Sequence, residues 1–259
     1  LCIMVNEEDH LRMQSIKAGL SLSEAFKMID KVDSKIEVGL DYAFDNKYGY
    51  LTACPTNLGT GMRASSMLHL PGLVLSDQIN KVIQAVNKIG LAVRGLYGEG
   101  TEALGNLFQV SNQHTLGESE EEIIARLEKV IKQIIEHEEN AREKLYDENK
   151  TTLNDKIGRS YAILRYAHII STKEALELLS MLRLGVDLGY FSDELRSLID
   201  VLFMEIQPAH LQVYADRKLN ADERDCLRAE IMRDRLKNLP EPSKFFDNSS
   251  NELPSTEDH

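Results

Sequence analysis

The residues with the clearest chemical potential lie in one short segment, CPTNLGTGMR, at positions 54–63. The thiol of Cys54 becomes a thiolate readily when arginines or a helix N-terminus lower its pKa. Arg63 carries a planar guanidinium that donates two parallel hydrogen bonds to a carboxylate or a phosphate. We expect a helix to begin directly after this loop, which would favour a Cys54 thiolate able to pair with a cationic group. The alternative is that Cys54 is a small buried apolar residue.

A second group of chemically active residues is the acidic run NEEDHLR at positions 6–12. It follows five apolar or sulfur-containing residues, 1–5, which are predicted to form a buried strand. A carboxylate placed after a strand is suited to accept a proton from a bound substrate. Taken alone, such a run is more typical of a solvated loop.

Both segments resemble signature motifs of the ATP:guanido phosphotransferases, the phosphagen kinases. The family motifs are C-P-[S/T]-N-[L/V]-G-T-G-[L/M]-R-A and N-E-E-D-H-[L/I]-R, and this chain matches them throughout. A guanidinium is protonated at ordinary pH, so a base must remove a proton before its nitrogen attacks ATP. The resemblance implies that Glu8 is this base and that Cys54 orients the guanidinium electrostatically.

The resemblance also implies a site for ATP with Mg²⁺, in which arginines hold the phosphates and stabilise developing charge. No residue of the chain is assigned as a metal ligand. Neither a Walker A sequence nor the His-Arg-Asp set of protein kinases is present in the sequence. The implied nucleotide-binding residues are Arg12, Arg63, Ala64, Ser65, Ser66, Met67, Arg94, Gly95, Leu96, Tyr97, Gly98 and Glu99.

The segment RGLYGEGTEA at positions 94–103 indicates which guanidine is phosphorylated. It resembles R-G-[I/L]-Y-G-E-G of the bacterial protein arginine kinases, a loop that differs in kinases of small metabolites. By this resemblance Glu99 is a second catalytic carboxylate, facing Glu8 across the guanidinium, and two carboxylates would both orient the cation and accept its proton. A mobile loop acid is the alternative for Glu99, since glycines flank it.

A fourth motif, RDCLRA at positions 224–229, lies in a predicted helix. Arg224 and Arg228 are four residues apart, so they share a helix face and repel each other unless an anion lies between them. The motif resembles Arg-Asp-x-x-Arg-Ala of the protein arginine kinases, which implies an allosteric phosphoarginine site formed by Arg224, Asp225, Arg228 and Ala229. Without the resemblance, a solvated helix face is the simpler interpretation.

Periodicity predicts the elements that must position these residues. Short apolar runs predict strands at residues 1–5, 50–53, 91–94 and 107–110. Helical spacing predicts helices at 23–43, 74–89, a long stretch from 119, 153–170, 173–188, 193–206 and 221–239. We therefore expect an α+β fold: a phosphagen-kinase-like catalytic domain at 1–148 with an antiparallel-rich sheet flanked by helices, an all-α domain at 149–239, and a disordered tail at 240–259.

The composition limits the classes of partner. The net charge of −12 argues against direct binding of nucleic acid, which requires an excess of Lys and Arg. No apolar run reaches membrane-spanning length, and the three cysteines, Cys2, Cys54 and Cys226, fit a reducing compartment, so a cytoplasmic protein is expected. The resemblance implies as partners protein substrates with exposed arginines, a heat-shock repressor, a zinc-containing activator protein and the Clp protease machinery, and by analogy a homodimer.

The first residue is Leu, and the strand at 1–5 starts without a preceding turn, so we expect a truncated chain. The family's N-terminal Ser-x-Arg-x-Arg phosphate-binding segment is not in the sequence, and the chain alone is expected to be weakly active or inactive. Two alternatives to a protein arginine kinase stay open: a phosphagen kinase of a small guanidine, and a non-catalytic phosphoarginine-binding module.

Overall fold

The computed structural model describes residues 1–96 and 103–243. Its strands are β1 (Cys2–Val5), β2 (Leu11–Gln14), β3 (Phe44–Asp45), β4 (Gly49–Tyr50), β5 (Ser65–His69), β6 (Leu91–Gly95) and β7 (Leu107–Asn112). Its helices are α1 (Leu22–Glu37), α2 (Pro71–Leu75), α3 (Ile79–Lys88), α4 (Glu120–Tyr166), α5 (Thr172–Asp187), α6 (Glu194–Glu205), α7 (Pro208–Tyr214) and α8 (Ala221–Leu236). The predicted α+β class is confirmed, with small antiparallel sheets and a helical C-terminal part.

The chain divides into two compact units. The N-terminal unit comprises Leu1–Ala103 and Leu107–Asn140, and the C-terminal unit comprises Leu104–Asn106 and Ala141–His259. The division falls inside α4, whose helical backbone is interrupted at Asn149 (φ −135°, ψ 31°). The sequence-based domain boundary after residue 148 stays a prediction.

A three-stranded antiparallel sheet forms the centre of the N-terminal unit, in the order β5-β7-β6. Successive side chains of a strand point to opposite faces, so each strand contributes to two surfaces. One face is buried and apolar, and includes Leu91, Phe108 and Val110. The other face carries polar groups, among them Gln109 of β7 and its partner Arg94 of β6. The alternation thus separates a packing face from a face that presents polar side chains.

The long amphipathic stripe predicted from residue 119 onward is confirmed as part of the core. Helix α4 begins at Glu120, and its first turns place apolar side chains at helical spacing. Of the seven stripe positions, Ile135 is half-buried and six are buried. The buried positions are Ile123, Ile124, Leu127, Val130, Ile131 and Ile134.

Several local predictions were wrong. The strand at β1 is exposed rather than buried, with Val5 65% accessible. No α-helix begins after the Cys54 loop: Cys54 precedes a three-residue 3-10 turn, Pro55–Asn57, and the chain then enters β5. Strand β5 was not predicted, because its five residues begin with two serines and leave too few apolar positions to show a strand pattern.

Other element boundaries also differ from the prediction. The strand expected at 50–53 is limited to Gly49–Tyr50, and the helix expected at 23–43 ends at Glu37. The single helix expected at 74–89 is two helices, α2 and α3, separated by Asp77, whose φ of 57° does not fit a helix. Helix α7, which starts at a proline, was not predicted. Gly90, with φ 76°, ends α3 as expected.

The C-terminal unit is helical in the part the structure describes, and side-chain caps define where two of its helices begin. Asn220 and Glu223 form a reciprocal capping box at the start of α8. Ser171 accepts a hydrogen bond from Glu174 N at the start of α5. The tail predicted at 240–259 lies outside the described residues from 244 onward, and Ser243 N donates to Tyr190 O at 3.0 Å. None of the helices in the described ranges combines the length and apolar character that a membrane span needs.

A buried carboxylate caps the short helix α2. Glu138, 3% exposed, accepts hydrogen bonds from Gly72 N at 2.8 Å and from Leu73 N at 2.9 Å. We expect Glu138→Gln to lower the free energy of unfolding by about 1–3 kcal/mol, because an amide NH₂ would face a backbone N–H. Urea unfolding followed by circular dichroism measures this. The exposed neighbour Glu139→Gln is the control, and equal stability of both variants would contradict the capping role.

Candidate active site

The β1–β2 hairpin holds the predicted base at its tip. Val5 pairs with Leu11, and the five intervening residues form the turn. Asn6 has a positive φ of 55°, and its N–H donates to His10 O at 3.0 Å, which closes the turn. Glu8 lies in this turn and is exposed, so its carboxylate is accessible to a substrate from solvent.

A direct hydrogen bond connects the Glu8 turn to the Cys54 segment. Ala53 N donates to Asp9 Oδ1 at 2.6 Å. Asp9 follows Glu8 and Ala53 precedes Cys54, so this bond joins the direct neighbours of the two predicted catalytic residues. The structure therefore brings together two motifs that are more than forty positions apart in the sequence.

The thiol of Cys54 lies close to a hydroxyl group. Cys54 is half-buried, and its Sγ is 2.9 Å from Thr56 Oγ1, with either atom able to donate. Thr52 Oγ1 donates to Cys54 O at 2.7 Å and so fixes the main chain beside the thiol. A hydroxyl donor at this distance is suited to stabilise a thiolate.

Replacing the sulfur of Cys54 tests whether a thiolate charge contributes to catalysis. We expect Cys54→Ser to lower kcat/KM about tenfold to hundredfold without abolishing catalysis, since a serine hydroxyl stays neutral and loses one charge-assisted contact. Phosphoarginine formation is measured with the longest form of the protein that contains this chain. Cys2→Ser, which changes an exposed cysteine outside the four motifs, is the control. An unchanged rate in Cys54→Ser would contradict the electrostatic role.

The loop after Cys54 is held against residues that follow β7. Thr115, which is buried, donates its hydroxyl to Leu58 O at 2.6 Å or Thr56 O at 3.1 Å. Thr60 N donates to Thr115 O at 2.8 Å. Gly59 has φ 104°, and a Cβ there would lie 2.1 Å from Thr115 O. Glycine is therefore required at position 59 both by the backbone conformation and by the close approach.

Two of the predicted phosphate-binding arginines act electrostatically on the third, Arg63. Burial lowers the pKa of Arg63, and the charges of Arg94 and Arg12 lower it further. Arg63 Nη2 donates to Ser111 Oγ at 3.2 Å, and Arg12 Nη1 forms an ion pair with Glu7 Oε2 at 3.1 Å. Positive charges that repel one another favour the binding of an anion between them, and the phosphates of ATP are such an anion.

The remaining predicted nucleotide-binding residues extend from the Arg63 loop into the sheet. Ala64 N donates to Asn112 Oδ1 at 2.8 Å, and Ser65 Oγ accepts from Gln109 Nε2 at 3.1 Å. Ser65, Ser66 and Met67 lie in β5, and Gly95 is the last residue of β6. Leu96 follows β6, and its N–H donates to Leu107 O at 2.8 Å. Tyr97, Gly98 and the second predicted carboxylate, Glu99, lie outside the described residues.

The predicted phosphoarginine motif lies on α8 of the C-terminal unit. Arg224 is half-buried, and its Nη1 donates to Leu219 O at 2.8 Å. Arg228 is fully buried and forms an ion pair with Asp225 at 2.5 Å. Ala229 is buried as well. A carboxylate of the same helix thus provides the counter-charge of Arg228 here, and the phosphoarginine site stays a prediction.

Sequence reasoning did not assign roles to the residues that hold the site loops. These are Asp9, Ser111, Asn112 and Thr115. Asp9 lies inside a recognised motif, so its position gave a signal. The other three follow or end β7, and their relation to the Cys54–Arg63 loop depends on the register of the sheet, which no local pattern reveals.

The turn that carries Glu8 is hydrogen-bonded to the segment that carries Cys54, and the charges of Arg12 and Arg94 act on Arg63. A site in which these groups bind a guanidinium beside ATP stays a prediction. The sequence matches agree with this. Residues 1–141 match the family model "ATP:guanido phosphotransferase, C-terminal catalytic domain". Residues 150–246 match the model "Protein-arginine kinase McsB C-terminal domain". The chain belongs to the ATP:guanido phosphotransferase family.

Curated relatives are similar along most of the chain. The protein-arginine kinases of Geobacillus sp. (strain WCH70) and Bacillus mycoides (strain KBAB4) are each 52% identical over 237 residues, which is 92% of this chain. The chain spans about two thirds of the length of these relatives, 66% and 67% respectively.

Solved structures with similarity to this chain include two kinases. Lombricine kinase is 33% identical with a TM-score of 0.47, over 53% of this chain and 38% of that chain. The duplicated taurocyamine kinase of Schistosoma mansoni is 23% identical with a TM-score of 0.48, over 74% of this chain and 33% of that chain. Because both TM-scores are below 0.5, the family assignment depends on the sequence matches.

Proposed function

We propose that the protein is a protein arginine kinase, which transfers the γ-phosphoryl group of ATP to arginine side chains of other proteins. Its main support is the 52% identity to curated protein-arginine kinases across 92% of the chain. The match of residues 150–246 to the C-terminal domain of a protein-arginine kinase gives independent support. The exposed position of Glu8 also favours a substrate as large as a protein, because the side chain of a folded partner can reach it.

The described residues support a direct in-line transfer. Glu8 takes a proton from the substrate guanidinium, whose freed nitrogen attacks the γ-phosphorus; the bond to the β–γ bridging oxygen breaks and ADP leaves. Cys54 orients the guanidinium electrostatically before Glu8 removes the proton. Arg12, Arg63 and Arg94 neutralise the phosphates, and Mg²⁺ enters with the nucleotide as the MgATP substrate.

The regulatory roles belong to the same proposal. Phosphorylation removes the positive charge of an arginine, so a heat-shock repressor modified at a DNA-contacting arginine would lose phosphate contacts and release its operator. Phosphoarginine would also mark proteins for the Clp protease machinery, in a cytoplasmic stress response with a zinc-containing activator protein. Residues Arg224, Asp225 and Arg228 would sense phosphoarginine allosterically, and the enzyme would act as a homodimer.

Mass spectrometry of a basic protein substrate tests the reaction. The longest form of the protein and this chain alone are each incubated with ATP and Mg²⁺, beside a sample containing free arginine. We expect phosphoarginine in the protein substrate with the longest form, and little or none with this chain alone. Phosphorylation of free arginine only would support a small-guanidine phosphagen kinase. Phosphoarginine binding without any phosphorylation would support a binding module.

A further inference from the structure

Arg63 lies in a stretch of chain, residues 61–64, that belongs to no helix or strand, and β5 begins after it. An arginine that binds phosphate needs a defined main-chain position, since its guanidinium must reach the anion in a bidentate geometry. Some other group must therefore hold the backbone at Arg63.

The side chain of Asn112 holds the backbone at Arg63 by hydrogen bonds to the residue before it and to the residue after it. Asn112 Oδ1 accepts from Ala64 N at 2.8 Å, and its Nδ2 donates to Met62 O at 3.0 Å. Asn112 is the last residue of β7, is 4% exposed, and also donates its backbone N–H to Ala64 O at 3.3 Å. Its amide therefore bonds to the residue before Arg63 and to the residue after it.

The orientation of this amide is fixed by a third partner. Asn112 Nδ2 also donates to His114 O at 2.9 Å, so both of its hydrogens face carbonyl oxygens. Exchanging the amide oxygen and nitrogen would place an acceptor against two acceptors and a donor against Ala64 N. The adjacent Ser111, which is buried, accepts from Arg63 Nη2. The end of β7 thus contacts both the backbone around Arg63 and its guanidinium.

We propose that Asn112 is a positioning residue for nucleotide binding, which acts through Arg63 and presets its main chain for the ATP phosphates. This rests on the proposed function, because Arg63 must be a phosphate ligand. Asn112 is not among the predicted substrate-binding residues. Its loss should weaken nucleotide affinity through Arg63 alone, whereas loss of a general structural residue would act whether or not Arg63 is present.

Asn112→Asp is the sharpest substitution, because it keeps the size and the acceptor for Ala64 N. The second carboxylate oxygen would face Met62 O and His114 O, and the repulsion would displace the backbone at Arg63. We expect MgATP affinity, measured by isothermal titration calorimetry on the longest form of the protein, to fall at least about tenfold. Ser111→Ala removes only the acceptor for Arg63 and should give a smaller loss.

A double-mutant cycle with Arg63→Ala separates the two roles. We expect Asn112→Asp to reduce MgATP affinity in the wild-type background and to have no further effect in the Arg63→Ala background. Glu138→Gln, which destabilises the same unit without contacting Arg63, should leave the affinity unchanged. An equal loss in both backgrounds, or an unchanged affinity in Arg63→Ala alone, would overturn the inference.

The outcome can be separated from that of the proposed function. The cycle measures nucleotide binding only, whereas the proposed function is judged by phosphoarginine in a protein substrate. If the wild-type protein made no phosphoarginine yet the cycle showed complete coupling of Asn112 to Arg63, the kinase assignment would fail while the positioning role would hold.

Discussion

Glu8→Gln is expected to reduce phosphorylation of protein arginine by about 10²–10⁴-fold, the range that general base catalysis contributes. The amide has nearly the shape of the carboxylate but cannot take the guanidinium proton. Glu8 lies exposed in the turn of the β1–β2 hairpin, so the variant should fold as the wild type does. The loss should appear in kcat, because the interaction with the proton develops only in the transition state.

A charge-matched control separates catalysis from surface electrostatics. Glu24→Gln on α1 removes one exposed carboxylate that pairs with Lys17 at 3.9 Å, and should leave phosphorylation unchanged. Initial rates are measured with the longest form of the protein, and MgATP affinity is measured in parallel. If Glu8→Gln retained the wild-type rate, another group would have to be the base. Glu99, which the motif predicts as the second carboxylate, would be the first to replace.

The candidate catalytic residues could be grouped from the sequence because they lie in short local motifs, and their roles stay predictions. Glu8 and Arg12 lie in one hairpin, and Cys54 and Arg63 lie in one loop. Residues that share a short motif need no knowledge of the fold to be grouped. The helix expected after the Cys54 loop was wrong. The residues that follow the loop form β5 instead, because tertiary pairing with β7 decides their conformation.

The supports of the site were not predictable in the same way. Asn112 reaches Ala64 across 48 residues, and only the antiparallel register of β5 and β7 brings them together. Likewise, the four-residue spacing of Arg224 and Arg228 places both on one helix face but does not show which of them is buried by neighbouring elements. Burial depends on the neighbouring elements, and these bury Arg228 completely.

Arg228→Met is expected to lower the free energy of unfolding by about 3 kcal/mol, the lower part of the range for breaking a buried ion pair. The Arg228 guanidinium donates from Nε to Ile206 O at 3.1 Å and from Nη1 to Ile170 O at 2.7 Å and to Asp225. Methionine fills much of the space but leaves two carbonyls and one carboxylate without their donor. Urea unfolding of this chain, followed by circular dichroism, measures the loss.

Arg224→Met is the matched control, because the same substitution is made one helical turn earlier. Arg224 is half-buried, and among the described residues its side chain donates one hydrogen bond, to Leu219 O, so we expect a loss below about 1 kcal/mol. If α8 binds phosphoarginine, Arg224→Met should abolish binding while the unit stays folded. Arg228→Met should lose phosphoarginine binding and also destabilise the unit. Unchanged stability in Arg228→Met together with lost phosphoarginine binding would contradict a structural role. Arg228 would then have to leave its carbonyl partners to meet the ligand, and the ion pair with Asp225 would be the contact that phosphoarginine breaks.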